Sequence, residues 1–374
     1  MLTIPNIIYL TDIYFDFGAV TILPDLLKKY HISRPLIITD KGLVKLGIID
    51  RLCINVAAIF DHTEPNPTES NANEALMVYQ QSTCDGIVAV GGGSPMDLAK
   101  SVRLLVNHPP PLEQYSVLRG GSSKITDNMP PFIAVPTTAG SGSEVGRAAL
   151  ITVSSGRKLG LLSNYLLPNA TICDPEPTIG MPPLLTAGTG MDAISHCIET
   201  FCSTRYNPVA DAIALDGLER GYSNIIKATH NGADRKARSE MMMCSLEGSL
   251  AFQKGLGAVH SLSHPLGALT ERQFHHGTLN AIFLPVVLRF NFDYCENKMQ
   301  AIAGRLKIKD AATLPAKFDE LNQELGLPGR LRELGITKED LEHLAQLAQE
   351  DHCTPTNPRP TRVEDFHRLY SESW

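Results

Sequence analysis

In the first half of the chain, short apolar runs alternate with segments whose apolar residues recur every three or four positions. Pro35–Asp40, Asn55–Phe60, Gly86–Val90 and Phe132–Pro136 are the apolar runs, and each predicts a buried strand. Gly18–Tyr30, Val44–Leu52, Asn71–Gln81 and a stretch ending near Asn107 carry the helical period. Strands alternating with helices predict a parallel α/β sheet. The texture changes after Asp174-Pro175-Glu176-Pro177 and Met181-Pro182-Pro183. Beyond them Leu185–Phe201, Pro208–Thr229, Ala233–Phe252, Leu262–Leu269, His276–Asn291, Asn297–Leu306, Ala312–Leu325 and Lys338–Gln349 all read as helices, and no alternating strand stands out. The expected division is therefore an α/β domain with a parallel nucleotide-binding sheet over residues 1–180 and an all-helical domain over 181–374.

Composition narrows the choice of chemistry. At 374 residues the chain is too long for one ordinary core, in keeping with two domains. Net charge is −7 and no Lys/Arg run forms a basic patch, so a nucleic-acid partner is not expected. The eight cysteines are scattered without a C-x-x-C pair, which reads as reduced thiols in a cytoplasmic setting. No run approaches the length of a membrane span, and Met1–Pro5 lacks the charge and apolar core of a signal peptide.

Two loops follow strands in the first half. Gly91-Gly92-Gly93-Ser94-Pro95-Met96-Asp97 combines glycines, which let backbone approach a ligand closely, with a fresh helix start. Ser94 is expected as its N-cap, Pro95 as its first residue and Asp97 as the capping-box acid. A strand, a glycine turn and a helix N-terminus make an anion site suited to a pyrophosphate. Met96 stands where the common dinucleotide fingerprint has its third glycine. Thr137, Thr138 and Ser141 lie in the second loop, Pro136–Glu144, which could wrap the ribose and nicotinamide end of a cofactor. Asp40 ends its strand where an acid can cap a helix or accept from a ribose hydroxyl, and it would repel a 2′-phosphate, favouring NAD over NADP.

The second half carries candidate metal ligands. Asp192 and His196 are four apart, which puts both on one face of a helix. His260 and His264 repeat that spacing, and the pair His275-His276 precedes Gly277. All sit beside small or apolar residues.

With these segments in view, the chain resembles the iron-containing (group III) alcohol dehydrogenases, of the dehydroquinate-synthase-like fold. The resemblance rests on GGGSPMDLAK, PTTAGSGSEV, GMDAISHCIETF, GAVHSLSHPLGA, HHGTLNAIFLP and DHCTPTNPRP, which span Gly91 to Pro360 in order. It implies Asp192, His196, His260 and His276 as ligands of Fe²⁺ or Zn²⁺, with His275 the competing choice for the last. It implies His264 as the residue relaying the alcohol proton. NAD(H) would be held by Asp40, Asn66, Gly92, Gly93, Ser94, Asp97, Thr137, Thr138, Ser141 and Lys158. Phe252 and Cys353 would face the substrate. The implied assembly is a homodimer and the implied activity is the interconversion of a short alcohol and its aldehyde or ketone. Other enzymes of the same fold, a glycerol-phosphate dehydrogenase or a cyclase, are the alternative.

Two features bear on substrate. Arg147 follows the second cofactor loop and Lys254 precedes the His260 motif, so a cation is expected to hold an acidic end, as in a semialdehyde and its hydroxy acid. The stretch Thr270–Phe274 makes the approach to the last ligand longer than the family pattern.

Overall fold

Strands buried on both faces need apolar residues at every position, and the first half supplies them in four- to six-residue runs. The computed structural model describes residues 9, 11–269, 272 and 274–374, so part of the Thr270–Phe274 stretch lies outside the described residues. The chain forms two compact units: Tyr9–Thr138 with Gly142–Ile179, and Ala139–Ser141 with Gly180–Trp374.

The first unit contains β1 (Asp12–Phe15), α1 (Leu23–Lys29), β2 (Pro35–Ile38), α2 (Lys41–Lys45), β3 (Ala58–Phe60), α3 (Glu69–Gln81), β4 (Gly86–Gly91), α4 (Gly93–Asn107), β5 (Phe132–Pro136), β6 (Ala148–Thr152), β7 (Lys158–Leu162) and β8 (Ala170–Cys173). Six strands run parallel in the order β1-β8-β5-β4-β2-β3, and β6-β7 form a separate antiparallel hairpin. Alternate residues feed two cores. Leu36, Ile38, Ile87 and Ala89 pack towards α3 and α4, while Ile37, Val88 and Val90 pack towards α1. Strand order reverses between β2 and β4, and in open parallel sheets ligands bind at the carboxyl ends of strands beside such a reversal.

Several expected boundaries shift. The helix expected over 44–52 is one turn at 41–45, because Asp40 caps it and Gly47, at φ 68°, ends it. The second strand shortens to Ala58–Phe60, and β1, β8 and the hairpin arise from runs too short or mixed to read as strands.

The second unit is helical: α5 (Pro183–Cys202), α6 (Pro208–His230), α7 (Arg235–Ala251), α8 (Ala258–Gly267), α9 (His276–Asn291), α10 (Glu296–Arg305), α11 (Leu314–Glu324), α12 (Lys338–Gln349) and α13 (Val363–Ser373). From Thr186 to Cys202 every residue of α5 is buried, which makes α5 the axis around which α6, α7 and α9 pack. Helix α8 begins four residues earlier than the apolar period suggests, so His260 lies inside it. Helix α13 was not anticipated. Among the described residues no helix is long and apolar enough to cross a membrane.

Candidate metal and nucleotide sites

In the second unit, three helices each bring a side-chain pair at i,i+4: Asp192/His196 on α5, His260/His264 on α8 and His276/Asn280 on α9. Helix α9 reaches α5 through glycine contact. A Cβ on Gly277 would lie 2.1 Å from the Gly188 carbonyl oxygen, so no larger residue fits there at this separation. That approach brings His276, the first residue of α9, to Asp192.

The geometry converges on one oxygen. The Nε2 atoms of His196, His260 and His276 lie 3.7, 3.6 and 3.8 Å from Asp192 Oδ1. Donors at about 2.1 Å from a tetrahedral cation are separated by about 3.4 Å, so these spacings are close to those of a ligand shell. The Asn280 amide nitrogen stands among them, 2.8 Å from Asp192 Oδ1 and 3.2 Å from the Nε2 atoms of His260 and His276. One amide nitrogen held between a carboxylate oxygen and two imidazole nitrogens marks a place that favours positive charge. One carboxylate and three imidazoles suit Fe²⁺ or Zn²⁺. His275 takes another role: it is the N-cap of α9, its Nδ1 accepting from the Thr278 amide.

Electrostatics agree with a cation site. Burial opposes charge on Asp192, but the imidazoles of His196, His276 and His260 outweigh it and hold the carboxyl well below its usual range. Burial pushes His196 down to about 4. Burial also opposes charge on His260, yet the Glu199 carboxylate raises it to about 9. Glu199 accepts from His260 Nδ1 and, at 2.7 Å, from the Val259 amide. It therefore holds the proton on Nδ1 and fixes the ring so that Nε2 is turned toward Asp192, the side on which a cation would be held. His264 Nδ1 donates to Asp351 Oδ2 at 2.9 Å, and burial lowers its pKa. The Phe252 ring meets His196 edge-on at 5.3 Å. Cys353 is buried, 3.6 Å from His352 Nε2, and burial raises its thiol well above the ordinary value.

Sequence reasoning passed over Glu199, Asn280, Asp351 and His352. Glu199 sits three residues after His196 on the face that carries the ligands, and Asn280 four after His276, so helical spacing was the available signal. Asp351 and His352 lie inside DHCTPTNPRP, from which only Cys353 was chosen.

Lys254 is corrected. It is neither on the surface nor facing a pocket: its side chain is fully buried, ion-paired with Asp211 and donating to the Phe201 carbonyl. Its neighbours absorb its charge within the protein. Arg147 is half-buried immediately before β6 in the other unit.

In the first unit, the loop after β4 carries the nucleotide candidates. Helix α4 starts at Gly93 with Gly92, not Ser94, as N-cap, and no side chain caps it. No side chain therefore competes for its first amides. A Cβ on Gly92 would sit 3.1 Å from Thr138 Oγ1, so the glycine and the Thr137–Thr138 segment close on one another. Asp97 does not serve as a capping acid. It points into the interior, where Ser143 Oγ donates to it at 2.6 Å and the Leu150 amide at 3.1 Å. Lys100 lies beside it, fully buried, donating to the Ser143, Gly146 and Ala148 carbonyls. Both side chains thus tie the start of α4 to the Ser143–Leu150 segment. Asn66, in the left-handed region at φ 81°, accepts from Lys158 Nζ at 2.7 Å. Asp40 Oδ1 accepts from the Leu43 amide as cap of α2, beside the glycine loop at the reversal of strand order. Ser141 belongs to the helical unit, where its carbonyl accepts from Ser249 Oγ at 3.2 Å.

The whole chain is similar to known proteins. The family described as iron-containing alcohol dehydrogenase matches residues 11–175, and its C-terminal counterpart, the Fe-containing alcohol dehydrogenase family, matches 186–374. A 4-hydroxybutyrate dehydrogenase of Cupriavidus necator is 47% identical, covering 98% of this chain and 99% of its own. The crystal structure of a 1,3-propanediol oxidoreductase superposes with TM-score 0.91 at 33% identity, covering 99% of this chain and 100% of that one. A sulfoacetaldehyde reductase from Bifidobacterium kashiwanohense, solved in complex with NAD⁺, superposes with TM-score 0.89 at 26% identity, covering 99% of both chains.

Proposed function

Because this chain belongs to the iron-containing alcohol dehydrogenase family and interconverts an alcohol and its carbonyl partner with NAD(H) and Fe²⁺, we propose that Asp192, His196, His260 and His276 hold the iron and that the substrate is a short hydroxy acid and its semialdehyde. The observation that carries the ligand assignment is the convergence of three Nε2 atoms on Asp192 Oδ1. The acidic substrate is supported by the 47% identity to a 4-hydroxybutyrate dehydrogenase.

When bound, the iron supplies Lewis acidity to the substrate oxygen, and NAD(H) supplies or takes the hydride. The chain's own residues do the rest. Asp192 offsets one of the cation's charges, and Glu199 holds the His260 tautomer. Asp351 fixes the proton of His264 on Nδ1, leaving Nε2 to accept the alcohol proton. Burial keeps that ring neutral near physiological pH, the state a base requires. The uncapped start of α4 offers amides to the pyrophosphate, and Asp40 is placed to accept from a ribose hydroxyl. We also propose a homodimer, which light scattering would check, in a reducing compartment, which the eight free cysteines support.

The test is loss of NADH absorbance with succinic semialdehyde and with butanal, using stripped protein before and after addition of Fe²⁺ or Zn²⁺. Activity should require the metal and favour the acidic aldehyde. Equal or better turnover of butanal would overturn the substrate assignment, and full activity after stripping would overturn the metal assignment.

A further inference from the structure

Next to the metal candidates the structure builds a column of three imidazoles. His276 and His264 stack with centroids 5.4 Å apart and planes 9° apart, and His264 and His352 repeat both values. The middle ring is the least exposed, its side chain at 5%, whereas His276 is 25% and His352 23% exposed. The two open rings are thus a ligand candidate and a histidine with no assigned task.

We propose that His352 recognises the acidic end of the substrate, binding the carboxylate whose far end reacts at the Asp192 site. This rests on the acidic substrate proposed above and adds the residue that selects it.

Three observations carry it. The first is reach. An extended four-carbon semialdehyde spans about 6 Å from carbonyl oxygen to carboxylate oxygen. One hydrogen bond adds about 2.8 Å. That length, about 9 Å, comes within about 2 Å of the two 5.4 Å steps of the column laid end to end. The second is charge. His352 Nδ1 lies 3.6 Å from Asp351 Oδ2, and although burial opposes it, that carboxylate raises the imidazole's pKa. Asp351 itself is engaged: Oδ2 accepts from His264 and Oδ1 from the Cys353 amide at 2.8 Å. The third is an ill-matched partner. His352 Nε2 faces the Cys353 sulfur at 3.6 Å, and a thiol is a weak acceptor. A carboxylate oxygen is a far better one, and a charge-assisted bond in a half-buried place is strong.

The experiment measures kcat/KM for succinic semialdehyde and for butanal in wild type, His352→Ala, His352→Gln and Arg147→Ala, with iron content read in each. The ratio of the two substrates corrects for any inactive fraction. We expect His352→Ala to lose about 10- to 150-fold on the acidic aldehyde, chiefly in KM, with butanal changed less than about threefold. His352→Gln, which keeps an N–H but not the charge, should fall between. The proposal is overturned if both substrates decline together, as a packing role would require, or if only Arg147→Ala removes the acidic preference. A wild type that shows no such preference defeats the substrate assignment itself, a result visible before any variant is made.

Discussion

Replacing Glu199 by glutamine isolates the group that holds His260. Its two oxygens accept two N–H groups, one from the Val259 amide at 2.7 Å and one from His260 Nδ1. Glutamine offers one acceptor oxygen and an NH₂, so one of those two donors would face another donor. The imidazole also loses the carboxylate that raises its pKa to about 9 and makes it a stronger base towards a cation. Partners behind a ligating histidine are worth about 10- to 100-fold in metal affinity, which is about 1.4–2.7 kcal/mol. The side chain is buried and close in shape to glutamate, so the variant should fold. The assay is anaerobic titration of stripped protein with Fe²⁺ against a competing chelator, alongside kcat at saturating metal. Affinity should fall by the stated factor while kcat at saturation falls much less. An unchanged affinity, or a collapse of kcat with affinity intact, would refute the reasoning, because either would mean that Glu199 does not act through His260.

Three further outcomes are expected. His276→Ala should lose bound metal by elemental analysis and His275→Ala should keep it, since His275 is committed to capping α9; metal loss in the second variant alone would reverse the assignment. Asp40→Ala should narrow the preference for NADH over NADPH by about tenfold through removal of one repelling charge, read as the ratio of kcat/KM values. Burial raises Glu144 from 4.5 to about 7, with Lys100 offsetting part of that cost. The unfolded chain therefore releases this proton near pH 4.5 while the folded chain keeps it to about 7, so its contribution falls across that window and stays low above it; Glu144→Gln should gain up to about 3 kcal/mol at about pH 8 and little at about pH 5, by denaturant unfolding of the metal-free protein.

The parts of this protein that were legible in the sequence are those set by local spacing. The pairs Asp192/His196 and His260/His264 lie four apart, and helical geometry alone puts each pair on one face. The β4 run ending in glycines likewise forms a strand and a helix start from adjacent residues. What was hidden depends on partners distant in the chain. Helix α8 starts early because Asn357, 99 residues away, takes the Ala258 amide, and Glu199, 60 residues away, takes the Val259 amide. No local signal marks those caps. Lys254 misled for the same reason: its sequence neighbours place it near the His260 motif, but Asp211, on another helix, takes its charge.

The i,i+4 pairs also divide the labour of the site. On α5 both members are ligand candidates, whereas on α8 and α9 only the first is. His264 turns to Asp351 and Asn280 donates into the ligand set. A helix can commit its first pair member to a shared centre and leave the second for proton handling or positioning only if the backbones come close enough for short side chains to meet. Gly277 against Gly188 supplies that closeness, since a Cβ at 277 would overlap the Gly188 carbonyl and lever His276 away from Asp192. The ligand residues name the chemistry, but the two glycines that join α9 to α5 decide whether those residues converge.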